Sequence, residues 1–550
     1  MDTILEFAPQ FSLVVGPNNA GKSRTLDALR SLLQPFADGA GNRWITPGDF
    51  TRVDEGQSPP DIEITAVFAD VPDASLGALI SILAPSIGPR HAQLKLHSRL
   101  SADGRPFTRW YGGDLGQNEV EQIARESIRF IYLPALRDAA ADLRPGSTNR
   151  LASLVSALAP TGHPDRETLV DIVDHANSQL ENVDSVLAAA KAIQERLSGL
   201  TGKGPFAHES SLRFAESRFD RIVAGLQALA GSPGAISRLA DNGLGYNNLL
   251  YISVVLALLE TDDAVPLNLL LVEEPEAHLH PQLQALLTTY LESLSDESTH
   301  VIATTHSPQF ASAAEVRRIT AMRANPDGQA PTGHLLSGAP LTDAEFAHLR
   351  RFLDVTKSAL LFAQNVLLVE GIAELLLIPA IAKSIGVDLG EAGVSVISVD
   401  GLAFGPFISL FDAGGLPHRC VVLTDSDSTI NDDGEPVNSA TADALAARTT
   451  QNVSVFFSDR TFEWDLAKTN AESPELLLEA LGKLKPRVRA RIAASEYATA
   501  DAFATDFLAA VADIKGRFAQ ELAELLSNTT ATIIAPEAVT RAIIRAATGA

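Results

Sequence analysis

Cysteine and positive charge are both scarce in this chain. A single cysteine, Cys420, excludes an intrachain disulfide, which is typical of proteins in a reducing cytosol. The 43 lysines and arginines are outnumbered by 68 aspartates and glutamates, so the formal net charge is −25. Such a chain binds nucleic acid poorly overall. A nucleic-acid site would therefore need a local basic patch, or metal ions that neutralise carboxylates facing phosphate.

Long apolar runs and a secretory leader are also missing. Apolar stretches such as 249–259 fall well short of the ~18 residues that a transmembrane helix needs, and no basic segment followed by an apolar one opens the chain. We therefore expect a cytoplasmic protein without a membrane partner. Hydrophobic residues make up 46% of the 550, enough for sizeable cores.

The alternation of strand and helix patterns changes along the chain and predicts an α/β protein in several parts. Residues 1–149 mix strand and helix, 150–235 are typical of a helical insertion, and 236–345 return to strands. A connector at 346–363 leads to 364–550. There, three short apolar runs separated by helical patterns predict a parallel βαβ sheet, and a charged helical part follows.

A glycine-rich segment after the first predicted strand matches the phosphate-binding loop pattern G-x-x-x-x-G-K-S in full. Its glycines let backbone N–H groups wrap phosphates, and the following helix N-terminus adds partial positive charge. We expect Lys22 to contact the β- and γ-phosphates of ATP, and the Ser23 hydroxyl to bind one Mg²⁺. The alternative is a chance glycine-rich turn. The predicted nucleotide-binding residues of the loop are Gly16, Asn18, Asn19, Ala20, Gly21, Lys22 and Ser23.

Two further segments supply the groups that ATP hydrolysis needs. The apolar strand 269–272 ends in Glu273, predicted to hold the Mg²⁺ shell, and Glu274, predicted to polarise the attacking water. A second strand, 300–304, precedes His306, which we expect to contact the γ-phosphate. Taken alone, each segment has a simpler interpretation: Glu273 and Glu274 as two acids on a solvated turn, and His306 as a structural histidine. The order of all three segments along the chain favours an ATPase.

The segments GPNNAGKS, VEEPEAHLHP and TTHS resemble those of ABC-type ATPases of the overcoming-lysogenization-defect (OLD) family, over most of residues 1–360. Glu273 stands where ABC ATPases more usually have Asp. The resemblance implies that a signature loop of a second subunit closes over the nucleotide. The best match is 241–245, with Gly243 and Gly245 as nucleotide-binding residues, although it departs from the familiar Ser-Gly-Gly form. The family thus implies a homodimer or larger homo-oligomer, with the helical insertion as a candidate dimerisation element.

Four acids follow two strands in the last third of the chain. Glu370 ends one strand, Glu374 stands four residues later on a first helical turn, and Asp425 and Asp427 follow another strand. Since the carboxyl ends of parallel strands meet at one crevice, all four carboxylates can face it. They would repel one another unless divalent cations neutralise them, and oxygen ligands select Mg²⁺ or Mn²⁺. The alternative is an acidic pair of loops on a solvated domain.

Residues 364–470 resemble a Toprim domain, so that the whole chain is similar to OLD-family nucleases, among them the class with the Gabija nuclease subunit. Two metal ions in such a centre suit phosphodiester cleavage. The resemblance adds a further metal-binding acid and a late lysine near the scissile phosphate. The predicted metal ligands are Glu370, Glu374, Asp425, Asp427 and Glu463, and the predicted catalytic residues here are Glu370, Asp425, Asp427 and Lys515.

Two features of this region stay open. Asp400 is a metal ligand or merely a turn former. The run 483–491 carries five positive charges in nine residues, and it is either a track for a phosphate backbone or a solvated helix that balances nearby acids.

The predicted fold is therefore an α/β ABC-type ATPase with a helical insertion, followed by a Toprim domain with a helical C-terminal part. The predicted function is an ATP-binding and ATP-hydrolysing, Mg²⁺- or Mn²⁺-dependent DNA endonuclease. By family analogy alone it serves antiphage or foreign-DNA defence, with a helicase as a candidate partner. One alternative is a DNA-repair ATPase whose Toprim domain is only a scaffold. Another is topoisomerase- or primase-like chemistry, for which Tyr497 is an unremarkable candidate nucleophile.

Overall fold

A computed structural model gives the architecture of most of the chain. The residues that it describes are 3–34, 43–53, 58–135, 143–146, 149–202, 204–213, 215–232, 235–261, 267–295, 299–324, 331–401, 403–426, 429–430, 436–437, 439–528 and 533–549. The chain divides into two compact units. The first contains Met1–Arg30, Leu270–Glu276 and Pro281–Ala550, and the second contains Ser31–Leu269 and Ala277–His280. The boundaries of the five segments expected from the sequence stay predictions.

The described elements alternate between strands and helices along much of the chain. The strands are β1 (Phe11–Val15), β2 (Ile62–Phe68), β3 (Ala92–Leu100), β4 (Pro106–Gly112), β5 (Asn118–Glu119), β6 (Ile128–Leu133), β7 (Leu229–Ser232), β8 (Ala235–Arg238), β9 (Leu267–Glu273), β10 (Thr299–Thr305), β11 (Ile319–Arg323), β12 (Thr332–Leu335), β13 (Asn365–Val369), β14 (Val394–Ser398), β15 (Cys420–Asp425), β16 (Thr429–Ile430), β17 (Pro436–Val437) and β18 (Val453–Ser458). The α-helices are α1 (Lys22–Leu33), α2 (Gln122–Glu126), α3 (Arg150–Leu158), α4 (Pro164–Glu181), α5 (Asp184–Thr201), α6 (Phe219–Ala224), α7 (Leu244–Leu259), α8 (Pro281–Leu294), α9 (Pro308–Ala313), α10 (Asp343–Phe352), α11 (Ile372–Ser384), α12 (Phe404–Ser409), α13 (Ala440–Ala446), α14 (Phe462–Thr469), α15 (Glu475–Leu484), α16 (Pro486–Ala494), α17 (Ala500–Val511), α18 (Lys515–Asn528) and α19 (Glu537–Thr548).

One sheet of the first unit positions the predicted nucleotide site. Five of its six strands follow the order β12-β11-β1-β10-β9. β1 lies parallel to β10 and β11, whereas β12 is antiparallel to β11. All five residues of β1 are buried, as expected for a strand covered on both faces. The Glu274 N–H donates to the Thr304 carbonyl at 3.1 Å, which brings the ends of β9 and β10 together.

A second, fully parallel sheet of the first unit positions the predicted acidic centre. Its order is β14-β13-β15-β18. The apolar side chains of β13 and β15 join one core with α11, α14, α15, α17, α18 and α19, whose largest members include Phe462, Phe507 and Phe518. This packing holds the strand ends rigidly, because buried interiors are close-packed. The α/β fold expected from the sequence is confirmed, with the helical part after the Toprim sheet.

The second unit combines an antiparallel sheet with a group of helices. β2, β3, β4 and β5 pair in sequence order, and β3 alternates buried and partly exposed residues, as a sheet with one covered face requires. Helices α3 to α6 occupy most of the predicted insertion, and apolar side chains such as Ile172, Leu187 and Leu200 on α4 and α5 are exposed. None of the helices in the described residues combines the length and apolar content that crossing a lipid bilayer demands.

Candidate functional site

The loop between β1 and α1 depends on two glycines in backbone conformations that other residues rarely adopt. Gly16 has φ of +151° and Gly21 has φ of +97°. A Cβ on Gly16 would collide with the Met322 carbonyl oxygen, and one on Gly21 would lie 3.0 Å from Pro331 Cγ. Asn19 is also left-handed, at φ +63°. The glycine spacing of the motif is therefore required by backbone geometry, and the loop leads directly into the N-terminus of α1.

Lys22 is turned into this loop. Its side chain is almost fully buried, and Nζ donates to the carbonyl oxygens of Gly16 at 2.6 Å and Pro17 at 2.9 Å. Burial lowers the pKa of Lys22 to about 8, against the attraction of Glu274 and Glu276. The next residue, Ser23, is exposed on the first turn of α1. An ammonium under the loop with an accessible hydroxyl beside it is the arrangement that the phosphate-binding motif predicts.

His306 lies between Lys22 and Glu274. Its Nδ1 is 3.2 Å from Lys22 Nζ, and its Nε2 is 3.1 Å from Glu274 Oε1. Burial and the charge of Lys22 lower the pKa of His306, which favours the neutral ring. In that form we infer that Nδ1 accepts from the ammonium while Nε2–H donates to the carboxylate. Glu274 itself has a left-handed backbone, at φ +42°. The structure thus brings together the predicted lysine, acid and histidine.

Glu276 holds this histidine in place and was not singled out from the sequence. Its Oε1 accepts from the Thr305 hydroxyl at 2.5 Å and from the His306 N–H at 3.0 Å. Burial raises the pKa of Glu276. The only available signal was its position two residues after Glu274, inside the VEEPEAHLHP segment.

The predicted signature glycines lie at the start of α7 in the second unit. Gly243 is the N-cap of this helix, and a Cβ there would meet nothing within 4 Å. A Cβ on Gly245 would lie 2.6 Å from the His278 carbonyl oxygen, so glycine is needed at that position for packing. Their contact with a nucleotide of a second subunit stays a prediction.

Three of the predicted metal ligands lie at the ends of neighbouring elements of the Toprim sheet. Glu370 follows β13, Glu374 is buried in the first turn of α11, and Asp425 ends β15. Because β13 and β15 are adjacent and parallel, their carboxyl ends meet at one edge. The fourth predicted acid, Asp427, lies outside the described residues.

Backbone and hydroxyl donors orient these acids. The Gly371 N–H donates to Glu374 Oε2 at 3.2 Å, and the Phe462 N–H donates to Asp425 Oδ1 at 2.8 Å. The Thr424 hydroxyl donates to Glu370 Oε2 at 3.4 Å. Glu374 is therefore held by the start of its own helix, whereas Asp425 and Glu370 are held by donors on neighbouring elements.

The acids of this centre repel one another. Burial, together with Glu463 and Glu370, raises the pKa of Glu374 to about 7. Burial, together with Glu370, Glu374 and Glu463, raises the pKa of Asp425 to about 8. In the part of the chain that the structure describes, no three or more Asp, Glu, His and Cys residues form a group that could hold a metal ion. The donor set of carboxylate oxygens, and a mutual repulsion that a hard cation would relieve, nevertheless fit Mg²⁺ or Mn²⁺.

The predicted fifth acid and the predicted late lysine contact each other. Lys515 Nζ, at the start of α18, lies 2.8 Å from Glu463 Oε2, on the first turn of α14. The Glu463 side chain is only 2% exposed, whereas that of Lys515 is 41% exposed. The Lys515 side chain is therefore partly exposed to solvent beside the acidic centre.

The other open positions have structural partners. Lys483, Lys485 and Arg491 of the basic run pair with Glu521, Asp513 and Asp506 at 3.2, 2.5 and 2.7 Å. These contacts favour the interpretation of the run as a solvated helix that balances nearby acids. The Tyr497 hydroxyl donates to Oδ2 of Asp506 on α17 at 2.6 Å, and Asp506 is not one of the predicted metal ligands.

Family models match three parts of this chain. A model described as "AAA domain" matches residues 1–53, which contain the glycine-rich loop, and one described as "AAA ATPase domain" matches 93–311, which contain Glu273, Glu274 and His306. A third, described as "Overcoming lysogenization defect protein-like, TOPRIM domain", matches 361–427. The three matches cover most of the predicted site residues, whereas Glu463 and Lys515 lie outside them.

Two curated relatives and one solved structure are similar to parts of this chain. The chain is 25% identical to the OLD nuclease of Thermus scotoductus over 409 residues, which cover 71% of this chain and 73% of the relative. It is 26% identical to Endonuclease GajA of Bacillus cereus over 161 residues, 28% of this chain and 26% of the relative. The C-terminal region of the Burkholderia pseudomallei OLD protein is 28% identical, with a TM-score of 0.27, and the match covers 33% of this chain and 96% of that structure.

Proposed function

We propose that this chain, a homologue of the OLD nucleases in which an ATPase domain precedes an OLD-like Toprim domain, is an ATP-hydrolysing, divalent-metal-dependent DNA endonuclease. The observation that carries the proposal is the set of mutually repelling acids at the ends of β13 and β15 and on the first turns of α11 and α14, with Lys515 beside them. The similarity to an OLD nuclease and to Endonuclease GajA supports ATPase and nuclease activities together.

The ATP half of the proposal assigns one task to each group around the loop. Backbone N–H groups of the loop and Lys22 would bind the phosphates, and Ser23 and Glu273 would hold the accompanying Mg²⁺. Glu274 would orient and deprotonate the attacking water, while His306 would donate to the γ-phosphate. The contact of His306 with both Lys22 and Glu274 supports this assignment, because the three groups already share one hydrogen-bonded chain.

A second copy of the chain would complete this site. In the proposal, Gly243 and Gly245 of a partner subunit cover the nucleotide at the N-terminus of α7. Exposed apolar residues on α4 and α5 supply a surface that association could bury. We therefore propose a homodimer or larger homo-oligomer.

The acidic centre would hold the metal ions through Glu370, Glu374, Asp425, Asp427 and Glu463. When bound, two divalent ions would activate a water molecule and stabilise the leaving oxygen of the phosphodiester. The chain's own contribution is to hold the carboxylates on rigid strand ends and to present Lys515 to the scissile phosphate. We further propose, from the resemblance to the Gabija class, a cytoplasmic role in defence against phage or foreign DNA, with a helicase as candidate partner.

Separation of the two activities tests the proposal. Glu370→Ala should lower nicking of supercoiled plasmid with Mg²⁺ or Mn²⁺ at least ~100-fold and leave ATP hydrolysis within about two-fold. Lys22→Ala should instead lower ATP hydrolysis at least ~100-fold, because it removes the cation under the phosphates. Glu391→Ala, an exposed acid on the same domain, is the matched control and should change neither rate.

The alternatives have distinct outcomes in the same assays. Unchanged nicking by Glu370→Ala would contradict the metal-centre assignment and favour a scaffold role for the Toprim domain. A covalent protein–DNA adduct that disappears in Tyr497→Phe would favour topoisomerase-like chemistry instead.

A further inference from the structure

A short 3-10 helix, Lys357–Leu361, contacts both functional regions of the first unit. It follows α10 and precedes β13, so it is the covalent link between the ATPase strands and the Toprim sheet. Its side chains are mostly buried, although two of its first three residues, Lys357 and Ser358, are polar. Buried polar side chains in a linker require specific partners.

Ser358 connects the linker to the ATPase side. Its hydroxyl is fully buried and lies 2.9 Å from the carbonyl oxygens of both Pro308 and Val355, so one proton is shared between them. Pro308 is the first residue of α9 and stands two residues after His306. A short stretch of backbone and one hydrogen bond therefore connect His306 to the linker.

Lys357 connects the linker to the Toprim side. Its side chain is 7% exposed, and Nζ donates to Asp400 Oδ2 at 2.7 Å and to Asp354 Oδ2 at 2.9 Å. Asp400 has a left-handed backbone, at φ +59°, and the Ser398 hydroxyl donates to its Oδ1 at 2.9 Å. Both carboxylate oxygens of Asp400 are thus engaged, which favours a structural role over metal binding.

The turn that contains Asp400 is bonded directly to Glu370. The Gly401 N–H donates to the Glu370 carbonyl oxygen at 2.9 Å, and the Ser398 hydroxyl lies 3.4 Å from the same oxygen. The Val399 N–H donates to the Val369 carbonyl oxygen at 3.0 Å. Movement of Asp400 would therefore shift the backbone that aims the Glu370 carboxylate.

Arg323 stiffens the far end of the linker. This buried residue ends β11, and its guanidinium donates to the carbonyl oxygens of Leu360, Leu361 and Ala363 at 3.4, 3.1 and 2.6 Å. Side-chain hydrogen bonds consequently hold the 3-10 helix at both of its ends.

We propose that Lys357 is a positioning residue that couples nucleotide binding at His306 to the placement of Glu370, through its bond to Asp400. The proposal rests on the function proposed above and names the regulation of that acidic centre. Nucleotide phosphates compete for the Lys22 and His306 contacts, α9 shifts with His306, and the linker carries the shift to Asp400. Such a coupling is a contiguous physical network between two sites, which only a measured change of one site by the other can establish.

Hydrogen–deuterium exchange of peptides covering 394–401 in the full-length protein tests the coupling without requiring cleavage. In the wild type, Mg²⁺ with a non-hydrolysable ATP analogue should change the exchange rate of this segment at least ~3-fold. Lys357→Met should reduce that change to less than ~1.5-fold, and Lys357→Arg should retain it. The methionine variant should fold, because Asp354 and Asp400 are 53% and 65% exposed and keep their solvation.

Asp354→Asn is the matched control, because Asp354 precedes the linker, accepts from the same Lys357 ammonium and does not bridge to the Toprim turn. It should retain the exchange response. The proposal is overturned if the wild type shows no response, if Lys357→Met responds as the wild type does, or if Asp354→Asn loses the response equally. Plasmid cleavage measured in parallel tests the nuclease function separately: a wild type that responds in exchange yet never cleaves DNA contradicts the nuclease proposal and supports the coupling.

Discussion

Among single side chains, Lys515 has the least ordinary surroundings. A lysine on a helix surface is usually solvated, yet this one lies 2.8 Å from a carboxylate that is almost inaccessible to solvent. An ammonium so placed can be drawn toward phosphate as negative charge develops on it, and stabilisation of that kind is stronger in a partly water-excluded site. The contribution of Lys515 to the cleavage rate can be measured separately from its contribution to DNA affinity.

We expect Lys515→Met to lower DNA cleavage about 100-fold, because in the proposed mechanism Lys515 is the cation that faces the reacting phosphate. Lys515→Arg should lose less, since the charge is kept. DNA affinity should change less than about three-fold in both variants, because one phosphate contact contributes little to total binding. Plasmid nicking measures the cleavage rate, and fluorescence anisotropy measures the DNA affinity.

Lys383→Met serves as the control, because Lys383 is an exposed lysine in the last turn of α11. If Lys515→Met nicks plasmid at the wild-type rate, Lys515 has no role in the cleavage mechanism.

Among the elements, β15 is the strand on which the Toprim sheet depends. It pairs with β13 on one side and β18 on the other, and it ends at Asp425. Cys420, its first residue, is fully buried, and burial raises the pKa of its thiol far above the usual value. As the single cysteine of the chain, it reports specifically on the opening of this strand.

Native protein should therefore react with Ellman's reagent at least ~100-fold more slowly than urea-unfolded protein. Only opening of the sheet exposes the thiolate, which is the reactive form. The absorbance of the released thiolate follows the reaction directly. Labelling of the native chain at the rate of a free thiol would show that β15 is accessible in solution and would contradict the buried placement.

For the molecule as a whole, net charge sets how DNA can be bound. A formal charge of −25 opposes the approach of a polyanion, and three of the cations in the 483–491 run are already paired with acids. Divalent ions in the acidic centre would convert a repulsive surface into an attractive one. The metal requirement of the proposed nuclease should therefore extend from cleavage to binding.

Affinity for a short DNA duplex should be at least ~10-fold weaker in EDTA than with Ca²⁺, which takes the same oxygen ligands. Anisotropy of a labelled duplex measures this, with NaCl added to match the ionic strength in each arm. Equal affinity in EDTA and Ca²⁺ would show that basic residues alone bind DNA. The run 483–491 would then be the candidate DNA-binding segment.

Much of the fold and of the candidate site could be predicted because the informative patterns are local. A phosphate-binding loop is encoded within eight consecutive residues, since backbone conformation at Gly16 and Gly21 depends on the absence of a side chain there. An acid directly after a buried parallel strand lies where the carboxyl ends of the strands meet, however the other elements of the chain pack. The α/β architecture followed from the same strand and helix periodicities and is confirmed, whereas the catalytic roles of the site residues stay predictions.

Contacts between distant segments were decided only by the tertiary structure. Glu276 supporting His306, Lys515 facing Glu463 and Lys357 joining Asp400 each unite residues on different elements, and none of these residues stands in a pattern that marks its partner. Burial is the physical reason. A carboxylate or ammonium beside water needs no partner, whereas the same group enclosed by packed elements must be paired, and which group pairs with it depends on how the elements pack.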